Sequence, residues 1–356
     1  MSRIARGSGL GFLVLACLLS VCGASRGQLT EPSVLLYEGT YPGWPWITAG
    51  ANGTLYCVFR EGTQHMYSAE GRVMFSSSSD GGNTWSPARV IVDEPAVDDR
   101  NAAIAELANQ ELLVTYNRYT DKAATGDHES LAMSARSADG GKTWSAPAPI
   151  GTPNTRTRAA VVTLANGTVL LPYYVAPGNG ALAALSQDNG CTWDTVRIPD
   201  TEGFIGDEWD ALEVAPGRVI GVFRNSAKNS DGFFWVSESR DHGKTWSVPK
   251  PSNVQSKRHN SPPQLTRHGK TPTLIYADRR MVSVSAVTTS DPECLQWDVA
   301  GRLPCYFYNA DESPIVDGSY PVSVQVGLHK RLIVDYEIRD ASKRIAGYLV
   351  PFPETW

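Results

Sequence analysis

The chain has 356 residues, 42% hydrophobic and 19% charged, with a formal net charge of −5. That is enough apolar material for one large packed domain or two modest ones, and it excludes wholesale disorder. The acidic balance argues against a nucleic-acid binder, which needs a basic face to neutralise phosphates, but it allows a local basic pocket.

Residues 1–24 read as an export signal. Arg3 and Arg6 give a positive start, Gly9 to Val21 a short apolar run, and Gly23, Ala24 and Ser25 a small-residue cleavage region. The run is short for a membrane span, and no other apolar stretch reaches about 18 residues. A secreted or periplasmic protein without a span is expected. Leu19-Ser20-Val21-Cys22 also resembles a lipoprotein cleavage box, so a lipid anchor on Cys22 is the minor alternative. Residues 25–32 read as a linker and 33–356 as the folded part, expected to be a monomer. Export permits disulfides among Cys57, Cys191, Cys294 and Cys305. Cys294 and Cys305 flank one short turn region and are the expected pair. No Cys-x-x-Cys or His-x-x-x-His spacing occurs, and no Gly-rich phosphate loop, so neither a metal nor a cofactor is expected.

Farther along, turns and β-rich runs alternate. Asn52-Gly53 feeds TLYCVFR, and the box SSDGGNTW follows at 78–85. Asn109-Gln110 feeds ELLVTYNR before a box at 137–144. Asn166-Gly167 feeds TVLLPYY before a box at 186–193. Pro216-Gly217 feeds RVIGVFR before a box at 239–246. His268-Gly269-Lys270 feeds TPTLIYADR before a worn copy, TTSDPECLQW, ending at Trp297. His329-Lys330 feeds RLIVDYEIR. Tight turns feeding short β-branched runs predict strands. A repeat of about fifty residues predicts a solenoid, array or propeller. Six units with room for four strands each predict an all-β, six-bladed β-propeller of four-stranded antiparallel blades. Each box reads as a stabilised turn. Ser and Asp bond the backbone, Gly takes positive φ, and Trp packs beneath.

Ser-x-Asp-x-Gly-x-Thr-Trp resembles the Asp box of the sialidase-like propellers, the BNR-repeat family, over roughly residues 33–350. The resemblance implies that the boxes join the third and fourth strands of a blade, on the face opposite the active site. Function then belongs at the other strand ends. Second strands end there at Arg60, Arg118, Tyr174, Arg224, Arg279 and Arg339. First strands begin near Trp44, Arg100, Arg158, Glu208, Asn260 and Tyr320. Arginines gathered around one pit suit a carboxylate, which they grip bidentately.

In this family a tyrosine attacks the anomeric carbon, a glutamate takes its proton, three arginines bind the sugar carboxylate, and an aspartate is the acid/base. The resemblance makes Tyr320, in Asp317-Gly-Ser-Tyr320-Pro, the nucleophile. It makes Glu208, in Glu208-Trp-Asp-Ala-Leu-Glu213-Val, the base. Arg224 matches the second arginine, Arg279 or Arg280 the third, and Glu337 the carboxylate that steadies the first. Two departures stand out. Tyr41-Pro-Gly-Trp-Pro-Trp46 replaces the usual Arg-Ile-Pro, so the first arginine is absent, and Arg60 is the nearby substitute. No aspartate follows strand two of the first blade. His65 stands there as a proton shuttle, alongside Asp98-Asp99-Arg100-Asn101, whose Arg100 adds to the substrate-binding set. The expected function is an exported exo-glycosidase acting on a terminal acidic sugar of a glycan or polysaccharide. Two alternatives stay open: a uronate lyase or rhamnosidase-like enzyme using His65 and Arg60, or a non-catalytic glycan-binding propeller.

Overall fold

The computed structural model describes residues 30–122, 127–175, 178–257, 261–308, 318–339 and 342–354. The expected leader, Asn260 and Asp317 lie outside them. Val34–Gly39 forms β1. Blade one runs β2 (Gly43–Ala49), β3 (Leu55–Glu61), β4 (Arg72–Ser78), β5 (Arg89–Val92). Blade two runs β6 (Asp98–Glu106), β7 (Leu112–Lys122), β8 (Asp127–Ser137), β9 (Ala148–Pro149). In blade three the innermost strand is broken into β10 (Thr155–Thr157) and β11 (Val162–Thr163), both paired to β12 (Val169–Val175); β13 (Ala181–Ser186) and β14 (Asp194–Arg197) follow. Blade four is β15 (Gly206–Ala215), β16 (Arg218–Asn225), β17 (Phe233–Ser239) and β18 (Lys250–Gln255). Blade five is β19 (Gln264–His268), β20 (Thr271–Asp278), β21 (Ser283–Thr288) and β22 (Leu303–Phe307).

Blade six holds β23 (Val322–Gly327), β24 (Lys330–Arg339) and β25 (Ser342–Pro351), and its fourth strand is β1. Val34 to Gly39 pair antiparallel with Gly347 to Lys343. The all-β six-bladed ring expected from the repeat is therefore the fold. The N-terminal strand closes it, which the repeat did not announce.

The core lies between blades. Trp209 of β15 stacks on Phe223 of β16 at 4.6 Å and meets the ring of Trp246, from the fourth box, at 5.5 Å. Each box fixes its own turn. Ser78 Oγ donates to Asp80 at 2.8 Å and accepts the Gly82 amide at 3.0 Å. Asp80 accepts the Thr84 amide at 2.9 Å and its hydroxyl at 2.6 Å. Gly81 and Gly82 sit at φ 72 and 90, where a side chain is strained. Trp85 Nε1 donates to the Gly82 carbonyl at 3.2 Å. The Ser–Asp–Thr bonds recur around Asp139, Asp188 and Asp241. The worn copy is a fifth working turn, one residue longer. Asp291 accepts amides from Glu293, Leu295 and Gln296, and Cys294 takes the positive φ, 54.

The expected Cys294–Cys305 disulfide is not formed, and all four described cysteines are free thiols. The two sit on opposite sides of blade five. Cys294 packs with Ile220 and Trp297 toward blade four, and Cys305 packs with Tyr306 and Tyr348 toward blade six. No helix among the described residues is long and apolar enough to cross a membrane.

The boxes make stability acid-sensitive. The Thr84 hydroxyl and amide, then the Ser78 hydroxyl, hold the Asp80 carboxyl down at about 2. Asp139 and Asp188 are lowered in the same way. A carboxylate depressed in the folded state stabilises fully above its unfolded value and loses that contribution as pH falls through its folded one. The thermal midpoint is expected to drop between pH 3.8 and about 2. The drop should be shallower in the triple variant Asp80→Asn, Asp139→Asn, Asp188→Asn. Parallel curves for the two proteins would show that acid sensitivity arises elsewhere.

Candidate functional site at the blade ends opposite the boxes

Three innermost strands are irregular where they start. Register shifts fall between Gly43 and Trp46, between Arg100 and Ala103, and between Gly206 and Trp209. Such bulges re-aim side chains, and they gather beside sites. Trp44, Asn101 and Ser319 also take positive φ, at 51, 54 and 62. A tryptophan there is costly and persists only where its surroundings fix it.

These corners bring Tyr320, Glu208 and Arg224 together from blades six and four. The Tyr320 hydroxyl donates to Glu208 Oε2 at 3.3 Å and accepts from Arg224 Nη1 at 3.2 Å. Arg224 Nη1 is 2.5 Å from the same carboxylate oxygen, and its Nε and Nη2 grip Asp207 at 2.8 and 2.7 Å. Asn101 of blade two donates to Glu208 Oε1 at 3.4 Å. Burial pushes the Glu208 carboxyl up, and Arg224 opposes the rise. Burial and then Glu208 push the Tyr320 phenol up, with Arg224, Arg279 and Arg158 pulling it back.

Beneath this trio, Asp335 holds the corner that presents Tyr320. It accepts the Tyr320 and Tyr336 amides at 2.6 and 2.8 Å and the Ser319 and Tyr306 hydroxyls at 2.6 and 2.8 Å. Burial pushes its carboxyl up to about 6, against those four bonds.

A second group lies on blade one. Arg60 is wholly buried. Its Nε and Nη2 grip Asp98 at 2.6 and 2.9 Å, and its Nη1 and Nη2 donate to the carbonyls of Gln64 and Met66. Glycines make room for the pair. A Cβ on Gly62 would lie 2.6 Å from Arg60 Cζ, and one on Gly71 1.9 Å from Asp98 Oδ1. Arg60 thus clamps the loop that carries His65 and is not offered to a ligand as a substitute arginine. Arg100 donates to Asp98 at 3.3 Å and to the His65 carbonyl at 3.0 Å, and lies 4.3 Å over the Trp44 ring. His65 Nδ1 shares a hydrogen bond of 3.1 Å with the Tyr41 hydroxyl, and its ring meets Trp44 edge-on at 5.2 Å. Trp44 packs on Tyr336, and Tyr336 on Tyr320, so an aromatic wall joins the two groups.

Of the remaining sequence candidates, Arg279 reaches inward. It donates to the Gly318 carbonyl at 3.4 Å, and its charge acts on both Tyr320 and His65. Arg280 is held instead by Asp278 and by Gln255 at 2.9 Å, with 39% of its side chain exposed. Glu337 accepts from Arg344 at 2.7 Å and Tyr348 at 2.6 Å on the neighbouring strand β25. Arg118 pairs with Glu94. Asp207, Asn101, Asp335 and Trp44 were not singled out as site residues from the sequence. Asp207 carried one signal, its place beside Glu208; Asp335 carried none. No cluster of metal-ligating side chains occurs among the described residues.

Burial, then Arg100, Arg60, Lys343 and Arg279, depress His65 to about 4. The imidazole is therefore neutral at pH 6. Because the unfolded chain binds this proton more readily, stability declines as pH falls from 6.5 toward about 4. An NMR titration of the ligand-free protein should find half-protonation near 4; a value at 6.5 or above would refute the neutral assignment.

A family model for the BNR repeat-like domain matches residues 53–298. The chain belongs to this family. No curated protein matches it in sequence. Solved structures share the fold. A protein of unknown function from Dyadobacter fermentans has a TM-score of 0.75 at 20% identity, over 92% of this chain and 99% of that one. The NanB sialidase from Streptococcus pneumoniae has 0.72 at 11%, over 93% and 71%. The intramolecular trans-sialidase from Ruminococcus gnavus has 0.68 at 11%, over 91% and 97%. The BNR-repeat propeller is thus sialidase-like in architecture, and its chemistry must be argued from its own residues.

Proposed function

We propose that this propeller is an exo-glycosidase acting on a terminal acidic sugar of a glycan or polysaccharide. The observation that carries the reading is the Tyr320 hydroxyl held between Glu208 at 3.3 Å and Arg224 at 3.2 Å. A phenol in contact with a buried carboxylate is an activated nucleophile with its base in place. A neutral nucleophile suits an anomeric carbon that bears a carboxylate, because it avoids the repulsion a carboxylate nucleophile would meet. The sialidase and trans-sialidase of similar fold support the same class.

In this mechanism the Tyr320 O–H bond breaks as its proton passes to Glu208. The phenolate oxygen bonds to the anomeric carbon, and the bond to the leaving oxygen breaks. His65 protonates that oxygen. It is neutral without ligand, so the acid form depends on the incoming carboxylate, whose negative charge raises the imidazole toward neutral pH. Water then attacks the glycosyl–tyrosine with His65 as base, and Tyr320 recovers its proton from Glu208. Arg279 neutralises the sugar carboxylate, while Arg224, held by Asp207 and Glu208, steadies the nucleophile and its base.

A second reading has its own support. Neutral His65, ringed by Arg100, Arg279 and Lys343, is also suited to removing a proton beside a uronate carboxylate, as a lyase does. One assay separates the readings. The purified protein is offered a fluorogenic sialoside and, in parallel, uronate-rich polysaccharides. Release of an acidic monosaccharide without new near-ultraviolet absorbance is the expected result. An unsaturated, absorbing product abolished by His65→Ala would establish the lyase, and binding without product would leave a glycan-binding propeller.

A further inference from the structure

Arg158 interrupts the innermost strand of blade three, between β10 and β11. It is only 2% exposed. Its Nη2 makes two long bonds, to the carbonyls of Pro45 at 3.3 Å and Tyr320 at 3.4 Å. Its Nε and Nη1 meet no partner, and it forms no ion pair among the described residues. The guanidinium carbon lies 5.2 Å from the ring centroid of Tyr320 and 5.2 Å from that of Trp46. A buried charge with no carboxylate in contact is expensive. Arg60 shows the ordinary remedy in the same molecule, a bidentate aspartate.

The charge has a counterpart one residue away. Asp207, Glu208 and Arg224 together carry two negative charges and one positive, leaving a deficit of one beside the Tyr320 hydroxyl. Arg158 and Arg279 are the further cations whose charge reaches the Tyr320 phenol, and of the two Arg158 is the one on its ring face. We infer that Arg158 is a positioning residue of an electrostatic kind: a fixed cation on the face of the Tyr320 ring that stabilises the phenolate when its proton moves to Glu208. A cation over an aromatic face is attracted to the ring's π-density, which grows when the phenol ionises. The proton stays within the Tyr320–Glu208 pair, so the net charge of the buried group is the same before and after transfer. Without Arg158 the same transfer takes place inside a buried group more negative by one charge, which holds its protons more tightly. The mechanistic meaning of this role rests on reading Tyr320 as the nucleophile; the electrostatic coupling does not.

The test reads the phenol directly. Protein carrying difluorotyrosine, whose phenol ionises at lower pH than tyrosine, is titrated by fluorine NMR, with the Tyr320 signal assigned by its loss in Tyr320→Phe. Arg158→Met is expected to move the Tyr320 titration upward by about one pH unit or more. Arg158→Lys, which keeps the charge, should restore part of the difference. If the Met variant does not fold, Arg158→Gln, which keeps hydrogen-bond donors and loses the charge, is titrated with the same expectation. A Tyr320 titration unchanged in the neutral variant, or equally displaced in the Lys variant, overturns the inference. Turnover surviving in Tyr320→Phe would instead remove the nucleophile and leave the Arg158 titration result standing.

Discussion

Tyr320→Phe is expected to abolish turnover, with activity at least about 10³-fold down, while the protein stays folded. The substitution deletes one oxygen. The ring keeps its contacts with Tyr336 and Arg158. Glu208 and Arg224 keep each other at 2.5 Å, so neither polar partner is stranded. The stability cost should therefore stay near that of a single hydrogen bond, about 1 kcal/mol. In the proposed mechanism, chemistry loses its nucleophilic oxygen. Activity and urea unfolding must be measured on the same preparation. A folded Phe variant that still releases product within tenfold of the parent would end the tyrosine mechanism. It would also direct attention to His65, whose Ala variant becomes the decisive one.

Arg60→Met should have the largest effect on stability. It leaves Asp98 without its bidentate partner in a fully buried setting and frees the carbonyls of Gln64 and Met66. Breaking a buried pair on one side costs about 3–5 kcal/mol. The Ser68 amide and Arg100 still bond Asp98, so the lower end of that range applies. Because the clamp carries the His65 loop, the imidazole should also lose its fixed place, and kcat should fall together with stability. Equilibrium unfolding beside kinetics distinguishes this from a binding role. If Arg60→Met unfolds like the parent and only KM rises, Arg60 faces the ligand after all.

The architecture was legible because its signal is local and repeated. Each box is complete within eight or nine residues, and its tryptophan spacing reports the blade. The same reading put Glu208, Arg224 and Tyr320 at one end of the strands, where the structure brings them together, since alternation of turns fixes where each chain segment surfaces. What it could not read was ownership. Arg60 lies where a substitute arginine would be wanted, but Asp98, thirty-eight residues later, claims its guanidinium. Arg279 and Arg280 are neighbours in sequence and separate in space because Asp278 and Gln255 hold one of them. Asp335 reaches Tyr306 of blade five, and Arg158 reaches the carbonyls of Pro45 and Tyr320 on other blades, contacts that no short motif records. The cysteine pair failed for a related reason: eleven residues of separation said nothing about which face of blade five each thiol occupies.

The strand that closes the ring also sets an order of events. Val34–Gly39 must find Lys343–Gly347, its partners some three hundred residues later in synthesis. Five blades can form from their own segments as the chain emerges. The sixth cannot, and until it does the protein is an open arc with exposed edges at both ends. Trp44 of blade one packs on Tyr336 of blade six across that seam, so the aromatic wall between the His65 and Tyr320 groups is complete once the circle shuts. Shutting the circle therefore serves as a completeness check: a chain cut short before Lys343 loses its final pairing and, with it, the ring that aligns the two halves of its site.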